Sequence, residues 1–194
     1  IVAPNRVAHH VWSSEIRKWD QFNKLTYTVL KGRAAGRLTR TQKDTHIHLI
    51  SFENLEWLVR HRCCDWPYDM IVIDESSRVK NADTIRHREL KRVLERHPDT
   101  RVVQLTGTPA PNGLLDIWAQ MFLLDKGARL GNTMKAYKQR WFDAPQGEFA
   151  KAKPKDWAQR QIEDRVRDIV VSMRAKDYLQ LPRLIVNKIA VELD

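Results

Sequence analysis

The chain has 194 residues, 42% of them hydrophobic and 30% charged, a balance that supports one domain with a real core and excludes an intrinsically disordered chain. No apolar run approaches the ~20 residues that a membrane-spanning helix needs. Lys and Arg number 34 against 24 Asp and Glu, a net charge of +10 that favours polyanionic partners such as nucleic acid, although a solvated basic surface accounts for the same count.

The opening "IVAP" reads as a core strand in progress rather than a signal peptide, which needs a charged start and a longer apolar stretch. The sequence is therefore expected to be a fragment of a larger protein. Val7, Val11, Ile16 and Trp19 follow at helical spacing, then the strand-like runs "TYTVL" and "HIHLIS", then a helix from about Glu53. Cys63 and Cys64 are adjacent and lack a C-x-x-C partner, so they point to neither a zinc site nor a disulfide framework. They fit a reducing compartment such as the cytoplasm better than secretion.

"MIVID" is the next strand, followed by a charged amphipathic helix over about Thr84 to Glu95, the strand "RVVQLTGT", and an apolar helix from Leu114 to Leu124. Continuous apolar strands alternating with helices predict an α/β fold with a mostly parallel sheet, buried by helices on both faces. Residues 143–156, "DAPQGEFAKAKPKD", read as a loop before a helix around Ile162 to Val171. The chain closes on "LIVNKIAVELD", an alternating strand-like piece.

"MIVID" delivers Asp74 and Glu75 to a strand's carboxyl end, where open α/β sheets collect ligands. Successive residues at a strand end point in different directions, so the two acids suit separate tasks. Asp74 has the chemistry to hold a hard cation such as Mg²⁺, which takes one or two carboxylates together with phosphates and water. Glu75 then orients or deprotonates an attacking water. A capping Asp-Glu before a turn is the plainer alternative. About thirty residues on, "RVVQLTGTPAPN" ends a second strand in Thr106, Gly107 and Thr108, with Pro109 and Pro111 opposing helix continuation. Hydroxyls there can bond a carboxylate or a phosphate-bound water, and Gly107 permits close backbone approach.

In this order "IVAPNRV", "LISFENL", "VIDESS" and "LTGTPAPNGLLDIWAQMFLL" resemble successive motifs of the first RecA-like lobe of superfamily-two helicases, the Swi/Snf-type branch in particular. "SMRAKDYLQLPRLIVNKIAVEL" resembles the segment in which that lobe finishes. The resemblance implies a RecA-like P-loop NTPase lobe, ATP with Mg²⁺ as cofactors, and DNA as partner, duplex DNA ahead of RNA. It further implies that Asp74 helps hold Mg²⁺, that Glu75 activates the hydrolytic water, and that Thr106, Gly107 and Thr108 couple nucleotide state to strand contacts. Pro4, Asn5 and Arg6, with Ser51, Phe52 and Glu53, would line the nucleic-acid track through phosphates, positioning the strand without reading its sequence. Plainer readings make Asn5 a helix cap, Arg6 a surface charge and Phe52 a core residue.

Two departures from that pattern stand out. Ser77 occupies the place of the family's coupling histidine and cannot carry its charge. No G-x-x-x-x-G-K-[ST] phosphate loop is present, since none of the seven glycines precedes a lysine. A second RecA-like lobe, which in this family supplies the arginine that completes the ATP site, is also absent. The expectation is thus a phosphate-loop unit before Ile1, a second lobe after Asp194, and a fragment inactive by itself.

His46 and His48 share one strand face without a third ligand, so structural roles are expected for both. Trp12, Trp19 and Trp118 fall at helical core positions, whereas Trp57 and Trp66 are open. The functions consistent with the sequence are a nucleic-acid motor of bacterial or viral type, a restriction-type ATPase lobe on the same core, and a non-catalytic scaffold that keeps the fold and basic surface.

Overall fold

The computed structural model describes residues 1–144 and 152–173. Its five strands are β1 (Val2–Ala3), β2 (Tyr27–Val29), β3 (Ile47–Ser51), β4 (Met70–Asp74) and β5 (Arg101–Leu105). All pairings are parallel, in the order β2-β3-β1-β4-β5. The helices are α1 (Trp12–Lys18), α2 (Ala34–Thr41), α3 (Phe52–Arg62), α4 (Ile85–Arg96), α5 (Leu115–Asp125), α6 (Met134–Trp141) and α7 (Ala158–Val166). The strand-like close of the chain lies outside the described residues, as does the centre of the 143–156 loop. Phe142 pairs with Pro154 across that loop.

Strand alternation sorts the sheet into two faces. Ile71 and Ile73 point into one core with Val2, Ile50, Leu55, Leu58, Leu90, Val93 and Leu123, which packs α3, α4 and α5 against the sheet. Each such side chain contributes about 1.5–3 kcal/mol by leaving water. Val72 and Asp74 face the other way, and there α1 supplies cover, because the Trp12 indole reaches Asp74.

Burial on both faces fails at β5. Val103 and Leu105 are 38% and 41% exposed, and no strand among the described residues pairs with the outer edge of β5. Both residues share a face with Val72 and Asp74, given the register Val72 to Val103 and Asp74 to Leu105.

A second core, of Trp118, Leu130, Tyr137, Trp141, Phe142, Ile162 and Val166, joins α5 to α6 and α7. Helix α5 thus belongs to both cores, through Leu123 and Trp118. The loop after it turns at Gly127, whose φ of +87° and close approach to the Gly131 carbonyl leave no room for a Cβ.

Trp118 is buried as expected, but Trp19 is not. Helix α1 stops at Lys18, and Trp19 adopts an extended backbone and is 49% exposed, with its indole against Glu15 and Lys18. Helical spacing runs one residue past the helix here. The last described helix also ends earlier than its apolar pattern predicts, leaving Val170 and Val171 outside it and exposed. Trp57 and Trp66 are partly buried against the first core.

Candidate functional site

Because β3, β1, β4 and β5 are adjacent and parallel, their carboxyl ends form one continuous rim. Along it stand Ser51, Phe52 and Glu53 at and after the end of β3; Pro4, Asn5 and Arg6 after β1; Asp74, Glu75 and Ser77 at and after β4; and Thr106, Gly107 and Thr108 after β5. Segments far apart in sequence therefore converge on one edge, where ligands of open α/β sheets bind.

Asp74 is half-buried, and its Oδ2 accepts a 2.9 Å hydrogen bond from Trp12 Nε1. The helical stretch before α1, Val7–Val11, is wound in wide π turns, closed by the Trp12 N–H to the Val7 carbonyl. Such a bulge shifts the direction of the residues that follow it, and it commonly marks functional sites. Here it delivers Trp12 to the acid. Oδ1 of Asp74 keeps its lone pairs free of any protein donor among the described residues.

Glu75 is exposed and holds a left-handed backbone, φ 58° and ψ 55°. For a residue with a Cβ this costs roughly 1–2 kcal/mol, and strain of this kind concentrates where geometry serves function. The turn lifts the carboxylate out of the strand's line and starts the short helix Ser76–Val79.

Ser76, not Ser77, makes the contact that leads away from the acids. Its hydroxyl donates to Gln120 Oε1 at 2.8 Å in a fully buried setting. Gln120 is 2% exposed. Its Nε2 donates to the Pro109 carbonyl at 2.6 Å and to the Asp116 carbonyl at 2.9 Å. One turn earlier on the same face of α5, Asp116 Oδ2 accepts from Lys80 Nζ at 3.1 Å and from the Asn112 backbone N–H at 2.8 Å. Ser77 is half-buried and its hydroxyl makes no hydrogen bond among the described residues. Neither Gln120 nor Asp116 is visible as a site residue in the sequence, because their roles depend on α5 packing between two loops.

The Thr106–Thr108 turn is closed by the Thr108 N–H donating to Thr106 Oγ1 at 3.1 Å. A Cβ at Gly107 would meet no heavy atom within 4 Å among the described residues. Packing among the described residues does not require glycine there.

On the rim's other half, Ser51 and Phe52 are buried, so of that trio Glu53 alone presents exposed surface. Phe52 belongs to the core, and the guanidinium groups of Arg78 and Arg86 each lie 5.6 Å from its ring centroid. Both arginines also approach Glu53, at 3.8 and 4.0 Å. Partial burial pushes the Glu53 carboxyl up, but hydrogen bonds from its own backbone and Ser51, with Arg86 and Arg78, outweigh this and hold it below the usual range. Asn5 and Arg6 are exposed, and the Pro4 carbonyl accepts the Ala8 N–H.

His46 bonds Thr26 and His48 bonds Tyr68, so both act structurally. Among the described residues no three His, Cys, Asp or Glu side chains group as a metal site, and none of the helices is long and apolar enough to cross a membrane. A divalent cation at Asp74 would draw its other ligands from phosphate and water, the arrangement that suits Mg²⁺.

A five-stranded parallel sheet with its motif-bearing loops on one rim has the architecture of a RecA-like lobe. The fold matches the Sulfolobus solfataricus SWI2/SNF2 ATPase core solved in complex with dsDNA, with a TM-score of 0.66, 22% identity, and coverage of 88% of this chain and 32% of that one. The sequence matches the SNF2-related domain over residues 1–194, and the chain belongs to that family. It is 34% identical to putative protein p41 of Acyrthosiphon pisum secondary endosymbiont phage 1, across all of this chain and 44% of that protein. It is also 31% identical to the transcription regulatory protein SNF2 of Saccharomyces cerevisiae, across 69% of this chain and 8% of that protein. The chain thus spans less than half the length of either relative.

Proposed function

We propose that this lobe is part of an ATP-dependent motor that translocates on, or unwinds, duplex DNA. The observation that carries the reading is the meeting of the Asp74–Glu75 and Thr106–Thr108 ends on neighbouring strands, with Glu75 held in a left-handed turn. A scaffold has no use for strained adjacent acids at a strand mouth.

Asp74, oriented by Trp12, would help hold Mg²⁺ with ATP, and the metal would supply charge neutralisation at the phosphates. Glu75 takes a proton from the attacking water. Thr106, Gly107 and Thr108 respond to nucleotide state, while Pro4, Asn5 and Arg6, with Glu53 and the cations around it, face the phosphate track. Ser51 and Phe52 support that track from the core. The edge of β5, unpaired among the described residues, and the exposed Val103 and Leu105 beside Asp74 are where a phosphate-loop strand and its helix would pack, since parallel strands are normally covered. A second RecA-like lobe would supply the other wall and complete the ATP site.

The test is ATP turnover by the full-length protein, with and without duplex DNA and across salt. The reading expects stimulation by DNA and binding that weakens steeply with salt, as phosphate contacts demand. Nucleotide-independent DNA binding without turnover would favour the scaffold.

A further inference from the structure

We infer that helix α5 is the strut that ties the acid-bearing loop to the Thr-Gly-Thr-Pro loop, with Gln120 as its principal positioning residue; this rests on the motor reading above. Two rungs cross the gap. Ser76 Oγ, Gln120 and the Pro109 carbonyl form one. Lys80 Nζ, Asp116 and the Asn112 N–H form the other. Asp116 and Gln120 are four residues apart and share a helix face, so one rigid element holds both loops at fixed spacing.

The Gln120 rung is the more demanding of the two. An amide buried at 2% exposure must be satisfied at both ends, since a lost partner leaves a dry polar group. It meets Ser76 through its carbonyl and Pro109 through its NH₂, so a shift of either loop breaks a bond at the other end. The backbone carbonyl of Gln120 is itself pinned by Gln104 Nε2, a β5 residue just before Thr106. This places the coupling that Ser77 cannot supply on its neighbour Ser76 and on a helix outside the rim.

The experiment uses Ser76→Ala, Gln120→Leu and the double variant. Amide hydrogen exchange at Thr108, Asn112 and Gly113 is expected to speed up about tenfold in Ser76→Ala, with β5 amides unchanged, because the lost bond is relayed through Gln120. The double variant should resemble Gln120→Leu alone, as expected for residues acting in one network. Exchange in that loop unaffected by Ser76→Ala, or effects that add fully in the double variant, would overturn the strut. Should Gln120→Leu fail to fold, Ser76→Ala alone decides. In the full-length protein, Ser76→Ala should lower the ratio of DNA-stimulated to basal ATP turnover while the KM for ATP stays within twofold. An unchanged ratio also counts against the strut. Wild-type protein that turns over ATP without DNA stimulation would instead contradict the motor reading, and the exchange data would still judge the strut.

Discussion

The two loops that end β4 and β5 read alike in sequence, each an apolar strand running into small polar residues, yet the structure builds them differently. The Asp74–Lys80 segment is wired: Asp74 to Trp12, Ser76 to Gln120, Lys80 to Asp116. The Thr106–Thr108 turn is open, with Gly107 and Thr108 exposed and one internal bond closing it. Its ties to the wired loop pass through α5, at Pro109 and Asn112. One wall of the candidate site is thus fixed by the core and the other is held at one remove, the arrangement expected where a reacting geometry must stay put while a neighbouring loop reports on it.

The sharpest break in that comparison comes from the fixed wall. Glu75→Gln in the full-length protein should cut DNA-stimulated ATP turnover by about a hundredfold or more, the scale of a lost general base, while nucleotide binding persists. Unchanged turnover removes Glu75 from that role. Next in size, Trp12→Phe deletes the indole donor and keeps most of the packing; the Mg²⁺ concentration for half-maximal nucleotide binding should rise about tenfold, as when a partner orienting a metal ligand is lost. An unshifted Mg²⁺ requirement means that Trp12 merely packs.

On the open wall the expected pattern is reversed, with function affected and stability not. Gly107→Ala should leave the melting temperature of this chain within about 2 °C, since the added methyl meets nothing among the described residues and surface changes stay within about 0.5 kcal/mol. ATP turnover in the full-length protein should still fall. A large loss of stability would mean that the loop is packed more tightly than it stands here. Arg6→Ala should reduce the slope of log affinity against log salt by about one, the value for one phosphate contact.

The smallest effect concerns pH. Burial lowers the His87 pKa below 6.5, with the bond to the Ala119 carbonyl opposing and Lys91 assisting, and burial likewise lowers that of His48. The fold thus favours the neutral form of both, and the unfolded chain binds protons more readily. Stability is fully present above pH 6.5 and is lost as pH falls below it. Melting temperatures at pH 7.5 and 5.5 check this; a higher value at pH 5.5 contradicts it.

Much of this architecture was legible because strand runs are short, β-branched and bounded by polar turns. "MIVID" falls on β4 residue for residue, whereas "RVVQLTGT" runs three residues past β5, which ends at Leu105 where the Thr106–Thr108 turn begins. Helix α2, with only Leu38 as a large apolar residue, gave no periodic signal, and α6 depends on Tyr137 and Trp141 packing into the second core. Trp19 shows the converse failure, a periodic residue beyond the helix end. The wiring of the acid loop was illegible for a different reason. Ser76, Gln120 and Pro109 are joined by tertiary packing alone, and no local pattern marks a buried glutamine on an apolar helix as a bridge.

The most direct test is a structure of the full-length protein with Mg²⁺ and a non-hydrolysable ATP analogue. The account predicts the Asp74 carboxylate on the metal, directly or through one water, with Glu75 facing the γ-phosphate across from Thr106–Thr108. A triphosphate bound away from the β4 carboxyl end, with Glu75 turned to bulk solvent, would contradict it.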